Sequence, residues 1–215
     1  MLWRIPELRE HYIYLNDDFF MNRSLTPDFF FRNGMPVIFG KRVPPQRWRI
    51  KTFLRRAFKP SVGALVYKRP TYRLAHELGA RIAGFEGRFV LVDHLPHPLR
   101  KSVQKAFYHR EPEVLRKQIK FRSRSLEQFS PVALINHLEI SAGSAHIRKP
   151  VSLAYVTPHA LLFMYRFAQQ VRRARHPFGC IQSLDSFSSA PLRLVRKVMK
   201  EKLGRFLPET IKFND

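Results

Sequence analysis

The sequence has one cysteine, few carboxylates and no long uninterrupted apolar run, and each shortage excludes something. With Cys180 alone there is no intramolecular disulfide framework, which sets aside small secreted scaffolds and fits a reducing compartment. Residues 1–20 carry Pro6, Glu7, Glu10, Asp17 and Asp18 where a secretory signal needs an apolar stretch. The most apolar segment, 151–168, is broken by Pro158, His159 and Arg166, and falls short of the roughly 20 apolar residues that span a membrane. Neither an internal repeat nor a low-complexity tract is present. The expectation is a soluble cytoplasmic protein, and 215 residues with 45% apolar content suffice for one sizeable core.

The scarcity of acid is uneven. The chain has 39 basic against 16 acidic residues, a net charge of +23. No carboxylate lies between Asp28 and Glu77, although Arg32, Lys41, Arg42, Arg47, Arg49, Lys51, Arg55, Arg56, Lys59, Lys68, Arg69 and Arg73 do. A second acid-free stretch runs from Ile140 to Leu184 and includes Arg172, Arg173 and Arg175. Such fields attract nucleic acid, an anionic membrane surface or phosphorylated substrates, and they also occur as plain solvated faces. Charge alone does not choose among these.

Short apolar runs alternate with segments of helical period, which predicts an α/β fold with a partly parallel sheet. The predicted strands are His11–Leu15, Pro36–Phe39, Val62–Tyr67, Arg88–Val92, Val151–Val156 and Phe178–Ile181. A helix is expected from Pro98, with Leu99, Val103, Ala106 and Phe107 on one face. Another opens at Glu111-Pro112, and a third carries Val132, Ile135 and Leu138. The last is expected to be capped by Ser189 and to show a stripe of Leu192, Val195, Met199, Leu203 and Phe206. The Pro- and Arg-rich segment from Lys41 to Lys59, with Trp48, Phe53 and Phe58, reads as a flap or an amphipathic surface helix.

Four segments could carry chemistry. His11–Leu15 runs into Asn16-Asp17-Asp18, which puts carboxylates at a strand end, where open α/β sheets bind ligands. Alternation of side chains turns one of Asp17 and Asp18 to the crevice and leaves the other to support the turn. Their hard oxygens suit Mg²⁺ or Mn²⁺ carrying a diphosphate, although an Asn/Asp turn after a strand is itself ordinary. The second segment, Val92-Asp93-His94-Leu95-Pro96-His97-Pro98, holds two histidines in a proline-bracketed extended turn. One could act as general acid or base; zinc would need further ligands that the single cysteine does not help to supply. The arginines of Lys120-Phe121-Arg122-Ser123-Arg124 offer planar forks for phosphate, or simple surface charge. The fourth, Phe178 to Asp185, delivers Gln182 and Asp185 at a strand end.

Taken in order, these segments resemble the Stealth proteins. Tyr14-Leu15-Asn16-Asp17-Asp18, with Arg4–Arg9 before it, is similar to the end of that family's second conserved region. His94–Lys101 followed by Phe121-Arg122-Ser123 resembles the third region, and Cys180–Asp185 with Phe206–Glu209 and Phe213 more loosely resembles the fourth. The resemblance implies a Rossmann-like layered sheet with flanking helices, and transfer of a sugar-1-phosphate from a sugar nucleotide to an acceptor hydroxyl of a polysaccharide. It implies that Asp17 or Asp18 holds Mg²⁺ or Mn²⁺, and that His94 is the acceptor base, with His97 as the alternative. Arg122 would neutralise the transferring phosphate, while Asn16, Arg100, Lys101 and Asp185 would contribute to cofactor and donor binding. The Trp-Val-Asp-Gly-like motif that opens the family does not occur here. The chain is therefore expected to be one partial catalytic domain over 1–215, lacking its N-terminal strand. The competing expectations are an inactive scaffold of the same fold and a basic nucleic-acid-binding protein. Peripheral contact with an anionic membrane at the inner face of the cell membrane is expected from the charge.

Overall fold

A computed structural model describes residues 2–46, 70–158 and 161–204. The chain divides into two compact units: Met1–Tyr14 with Pro27–Pro150, and Leu15–Thr26 with Val151–Asp215.

In the first unit, Asn33 and Gly34 both take positive φ (50° and 73°), the geometry of a two-residue hairpin turn matched to strand twist. They join β3 (Phe31–Arg32) to β4 (Met35–Val43). β4 also pairs antiparallel with β5 (Phe89–Val92) and parallel with β7 (His146–Arg148). Its residues Pro36 to Gly40 are all buried, as expected of a strand covered on both faces. Separately, β1 (His11–Tyr14) pairs antiparallel with β6 (His97–Arg100), with Tyr14 opposite His97.

Among the described residues, four helices belong to this unit. α1 (Tyr72–Ile82) is capped by Thr71, whose hydroxyl accepts from the Leu74 N–H at 3.1 Å. α4 (Pro131–Ser141) is capped by Ser130 and has proline in its first turn. Gly79 lets these two helices touch, since a Cβ there would sit 2.9 Å from Leu134 N and Ser130 O. α2 (Lys101–Arg110) and α3 (Pro112–Ile119) help to enclose Tyr12, Leu99, Phe107, Tyr108, Leu115, Phe129, Leu134 and Ile135.

The second unit is a three-stranded sheet in the order β2 (Phe19–Met21), β9 (Phe178–Ile181), β8 (Ala154–Val156). β8 and β9 are parallel and joined through α5 (Leu161–Arg172), as a parallel pair requires. With α6 (Ser189–Leu203) the sheet encloses Phe20, Val156, Met164, Phe167, Val171, Phe187, Val195 and Val198. The Phe20 ring lies directly on Gly179, where any Cβ would collide with it.

The fold is α/β, and among the described residues the strands are spread over three small sheets, with two parallel pairings, β4–β7 and β8–β9. Several local expectations are corrected. Residues 97–100 form β6 rather than the first turn of a helix, because β1 supplies their hydrogen-bond partners; α2 starts at Lys101. β1 ends at Tyr14, β4 runs on through Val43, and β8 starts only at Ala154. The N-cap of α6 is Ser188, with no side-chain cap, rather than Ser189. The expected strand Val62–Tyr67, the aromatic segment around Trp48, and Phe206 lie outside the described residues.

Candidate active site

The first unit organises its histidines around the turn from β5 to β6. His94 is exposed, with its ring edge-on to Tyr72 at 5.5 Å between centroids. Tyr72 is held in turn: its hydroxyl donates to the Val92 carbonyl at 2.9 Å, and its ring lies 3.9 Å from that of His76. His97, three residues on, is 8% exposed and stacks in parallel on Tyr14 at 6.4 Å. Burial, together with the charges of His76 and His94, lowers its pKa to about 3. His97 is therefore a neutral ring at physiological pH. His76 is likewise lowered to about 4 by burial, and its Nδ1 donates to the Tyr72 carbonyl at 2.9 Å. The HxPH pair thus has one histidine facing solvent and one serving as packing. Asp93, next to His94, has its carboxyl pushed upward by burial, partly offset by the charge of Lys41.

Arg100 and Lys101 are occupied by the fold itself. Arg100 Nε donates to Glu139 Oε1 at 2.8 Å and Nη2 donates to Oε2, a two-pronged pair with a carboxylate only 1% exposed. Ser144 Oγ donates to the same carboxylate at 2.7 Å. Lys101 Nζ donates to the carbonyls of Ile5, Pro6 and Leu8 at 2.9, 3.1 and 3.2 Å. An ammonium has three donors, so this set is full. Arg100 ties the end of β6 to α4, and Lys101 ties the start of α2 to the segment ahead of β1, contacts that the sequence pattern does not show.

Arg122 and Arg124 are exposed on the irregular segment between α3 and α4. Arg124 lines a cleft of about 200 Å³ with Pro70, Thr71, Tyr72, Ser125 and Gln128, above Phe129. Tyr72 was not singled out from sequence, since an aromatic residue opening a helix reads as core; only its place after Pro70-Thr71 marks it.

In the second unit, Asn16-Asp17-Asp18 precedes β2, and Phe19 pairs with Cys180. Because β2 runs antiparallel to β9, these residues lie at the carboxyl ends of the parallel strands β8 and β9, the end where α/β sheets bind ligands. Asp17 is exposed. Asp18 is turned inward: its carbonyl accepts from Ile181 N at 2.9 Å and its Oδ2 from Cys180 Sγ at 3.4 Å. Burial and the Asp18 charge push the Cys180 thiol up to about 12, so it is a protonated donor rather than a nucleophile. Asn16 is half-buried, with its carbonyl accepting from Phe19 N at 3.2 Å. Asp185 is exposed on a short 3-10 turn over Leu184–Ser186 that begins after Ser183, whose φ is +55°. At the same strand ends, Tyr155 donates its hydroxyl to Gln182.

Among the described residues, no group of three His, Cys, Asp or Glu is arranged to hold a metal ion. Mg²⁺ commonly takes one or two carboxylates and completes its shell with water and substrate phosphates, and the exposed carboxylate of Asp17 fits that demand, with Asp18 behind it turned inward. No helix among the described residues is long and apolar enough to cross a membrane.

No family profile matches the chain. A capsular polysaccharide phosphotransferase of Neisseria meningitidis serogroup B is 45% identical over 49 residues, 22% of this chain and 13% of that protein. An exopolysaccharide phosphotransferase of Lactiplantibacillus plantarum is 58% identical over 33 residues, 15% of this chain and 10% of that protein. Another exopolysaccharide phosphotransferase, from Mycobacterium leprae, is 23% identical over 211 residues, which is 96% of this chain and 36% of that protein. The matches thus span between about a tenth and about a third of these relatives' lengths. The order of motifs and these matches agree: over these stretches the chain is similar to capsular and exopolysaccharide phosphotransferases.

Proposed function

We propose that this chain carries part of the catalytic machinery for moving a sugar-1-phosphate from a sugar nucleotide onto a hydroxyl of a polysaccharide. The observation that carries this reading is the asymmetry of the HxPH turn, with His94 exposed beside Tyr72 and His97 buried. A general base must reach its proton and hold a pKa near the working pH, and only His94 meets the first condition. In the reaction, His94 takes the proton of the acceptor hydroxyl, whose oxygen attacks the phosphorus attached to the sugar. The bond from that phosphorus to the bridging oxygen breaks, and nucleoside monophosphate leaves with the electron pair. A phosphodiester remains.

Charge must be neutralised as the phosphoryl group passes, and the exposed guanidinium of Arg122 is the group proposed for it. In the second unit, Asp17, with Asp18 and Asn16 behind it, would hold Mg²⁺ or Mn²⁺, which when bound offsets the charge of a diphosphate. Asp185 stands at the same strand ends and is proposed to contact the donor. The work is proposed to take place in the cytoplasm, at the inner face of the membrane, where the basic charge favours anionic lipid.

Incubation with sugar nucleotides and an oligosaccharide, followed by ³¹P NMR, tests the reading directly. A new phosphodiester signal and release of nucleoside monophosphate are expected; release of nucleoside diphosphate would instead mean glycosyl transfer and overturn it. His94→Ala is expected to lower turnover by about 10²–10⁴-fold while leaving donor affinity intact. His97→Ala is expected to act mainly through stability, and the reverse outcome would move the base to His97.

A further inference from the structure

We infer that the cleft between the start of α1 and the segment ahead of α4 is the seat of the acceptor's terminal sugar ring, an inference that rests on the transfer activity proposed above. Its parts lie wholly in the first unit. Tyr72 forms an aromatic wall, 42% exposed, and it is the same ring that carries His94 on its edge. The ring cannot swing, because its hydroxyl is tied to the Val92 carbonyl and its underside to His76.

The same cleft is lined by polar groups with capacity to spare. Among the described residues, the guanidinium of Arg124 and the side-chain amide of Gln128 make no hydrogen bond or ion pair, yet both line the cleft. A fixed aromatic face in one cleft with planar donors and an amide suits a pyranose ring, which has an apolar C–H face and a rim of hydroxyls. Volume argues the same way. About 200 Å³ is below the roughly 300–1,000 Å³ of sites for larger ligands, so the cleft takes one ring rather than a chain. His94 packs on the edge of the same ring that walls the cleft, which ties the proposed sugar seat to the proposed base.

The roles separate by residue. Tyr72 is a positioning residue twice over, supporting the sugar face and fixing His94, whereas Arg124 and Gln128 serve affinity alone. Saturation-transfer NMR on the full chain, with methyl glucoside, methyl galactoside and methyl N-acetylglucosaminide as probes, reads binding without any need for turnover. At least one probe is expected to bind, with the signal reduced about tenfold or more in Arg124→Gln and Gln128→Ala and kept in Tyr72→Phe, which retains the ring. In transfer assays, the first two variants should raise the acceptor KM with kcat and donor KM unchanged. Tyr72→Ala should lower kcat as well, because His94 loses its support. Binding that is insensitive to Arg124 and Gln128, no binding of any probe, or displacement of the sugar by free nucleotide would each overturn the cleft as acceptor seat. A protein that binds sugars in this cleft yet transfers no phosphosugar would keep the cleft and overturn the activity. Transfer with an unchanged acceptor KM in both variants would do the opposite.

Discussion

The two units are held together by different forces. Of the buried polar and charged residues among those described, only Asn22 belongs to the second unit. His76, Glu77, His97, Gln104, Gln118, Asn136, His137 and Glu139 are all in the first. Directional bonds run through that unit: Arg100 to Glu139, Gln118 to both backbone groups of Phe129, and the Val90 N–H to His137 Nε2 at 3.1 Å. The second unit relies on apolar packing around Phe167 and Val171, with Asp17 and Asp185 left exposed. Hydrogen bonds fix angles and apolar contacts do not, which explains why a rigid histidine turn is built in the first unit. The contrast also says which perturbation each unit should feel.

Acid is the strongest separator. His76, His97 and His137 have pKa values lowered by burial to about 4, about 3 and about 4, against about 6.5 when unfolded. Between those values the unfolded chain binds more protons than the folded one, so stability is whole above pH ~6.5 and is lost as pH falls toward 4. Each histidine contributes up to ~1.4 kcal/mol per pH unit in that window. Trp3 falls within the first unit, and the sole cysteine, Cys180, is buried in the second. Tryptophan fluorescence should therefore change at a higher pH than labelling of Cys180 by a thiol reagent. Coincident transitions would show that the units unfold as one.

Next in size is Glu139→Gln, which leaves Arg100 without its carboxylate. Removing one partner of a buried pair costs about 3–5 kcal/mol, and thermal melts followed by tryptophan fluorescence should show it. A loss below 1 kcal/mol would mean that water replaces the pair.

Glycine-to-alanine changes test packing in each unit on equal terms. Gly79→Ala pushes a methyl into backbone atoms of α4, and Gly179→Ala pushes one into the Phe20 ring. Each is expected to destabilise its own unit by about 1–3 kcal/mol, read by fluorescence for the first and thiol labelling for the second. Smallest in stability is Asp17→Asn, at an exposed position, with no measurable change in melting temperature. Phosphosugar transfer should nonetheless fall by about tenfold or more, since ~1.4 kcal/mol of lost charge stabilisation already gives a factor of ten. Unchanged transfer would remove Asp17 from the proposed chemistry.

Much of this was legible along the chain. β9 has the bounds that its apolar run announced, and α3 begins at the proline that Glu111-Pro112 marked. Those signals are local, set by side-chain period and by the missing N–H of proline. The HPLR segment was misread because a strand so short has no period of its own; β1 decides its conformation. Arg100 and Lys101 were grouped with the binding residues because a sequence records a charge but not what faces it. Tyr72 escaped notice for the opposite reason, since its importance lies in having His94, His76 and the cleft around it.

The sequence by itself determined the α/β alternation, the apolar stripes of the helices, the positive charge and the motifs that resemble the Stealth proteins. Tertiary structure alone decided that one histidine of the HxPH turn faces solvent while the other is a packed, neutral ring. It alone placed Asn16-Asp17-Asp18 at the carboxyl ends of β8 and β9, more than a hundred residues away in the chain. The physical reason is the same in each case. Burial and strand register depend on contacts between distant segments, and no local window of residues contains both partners.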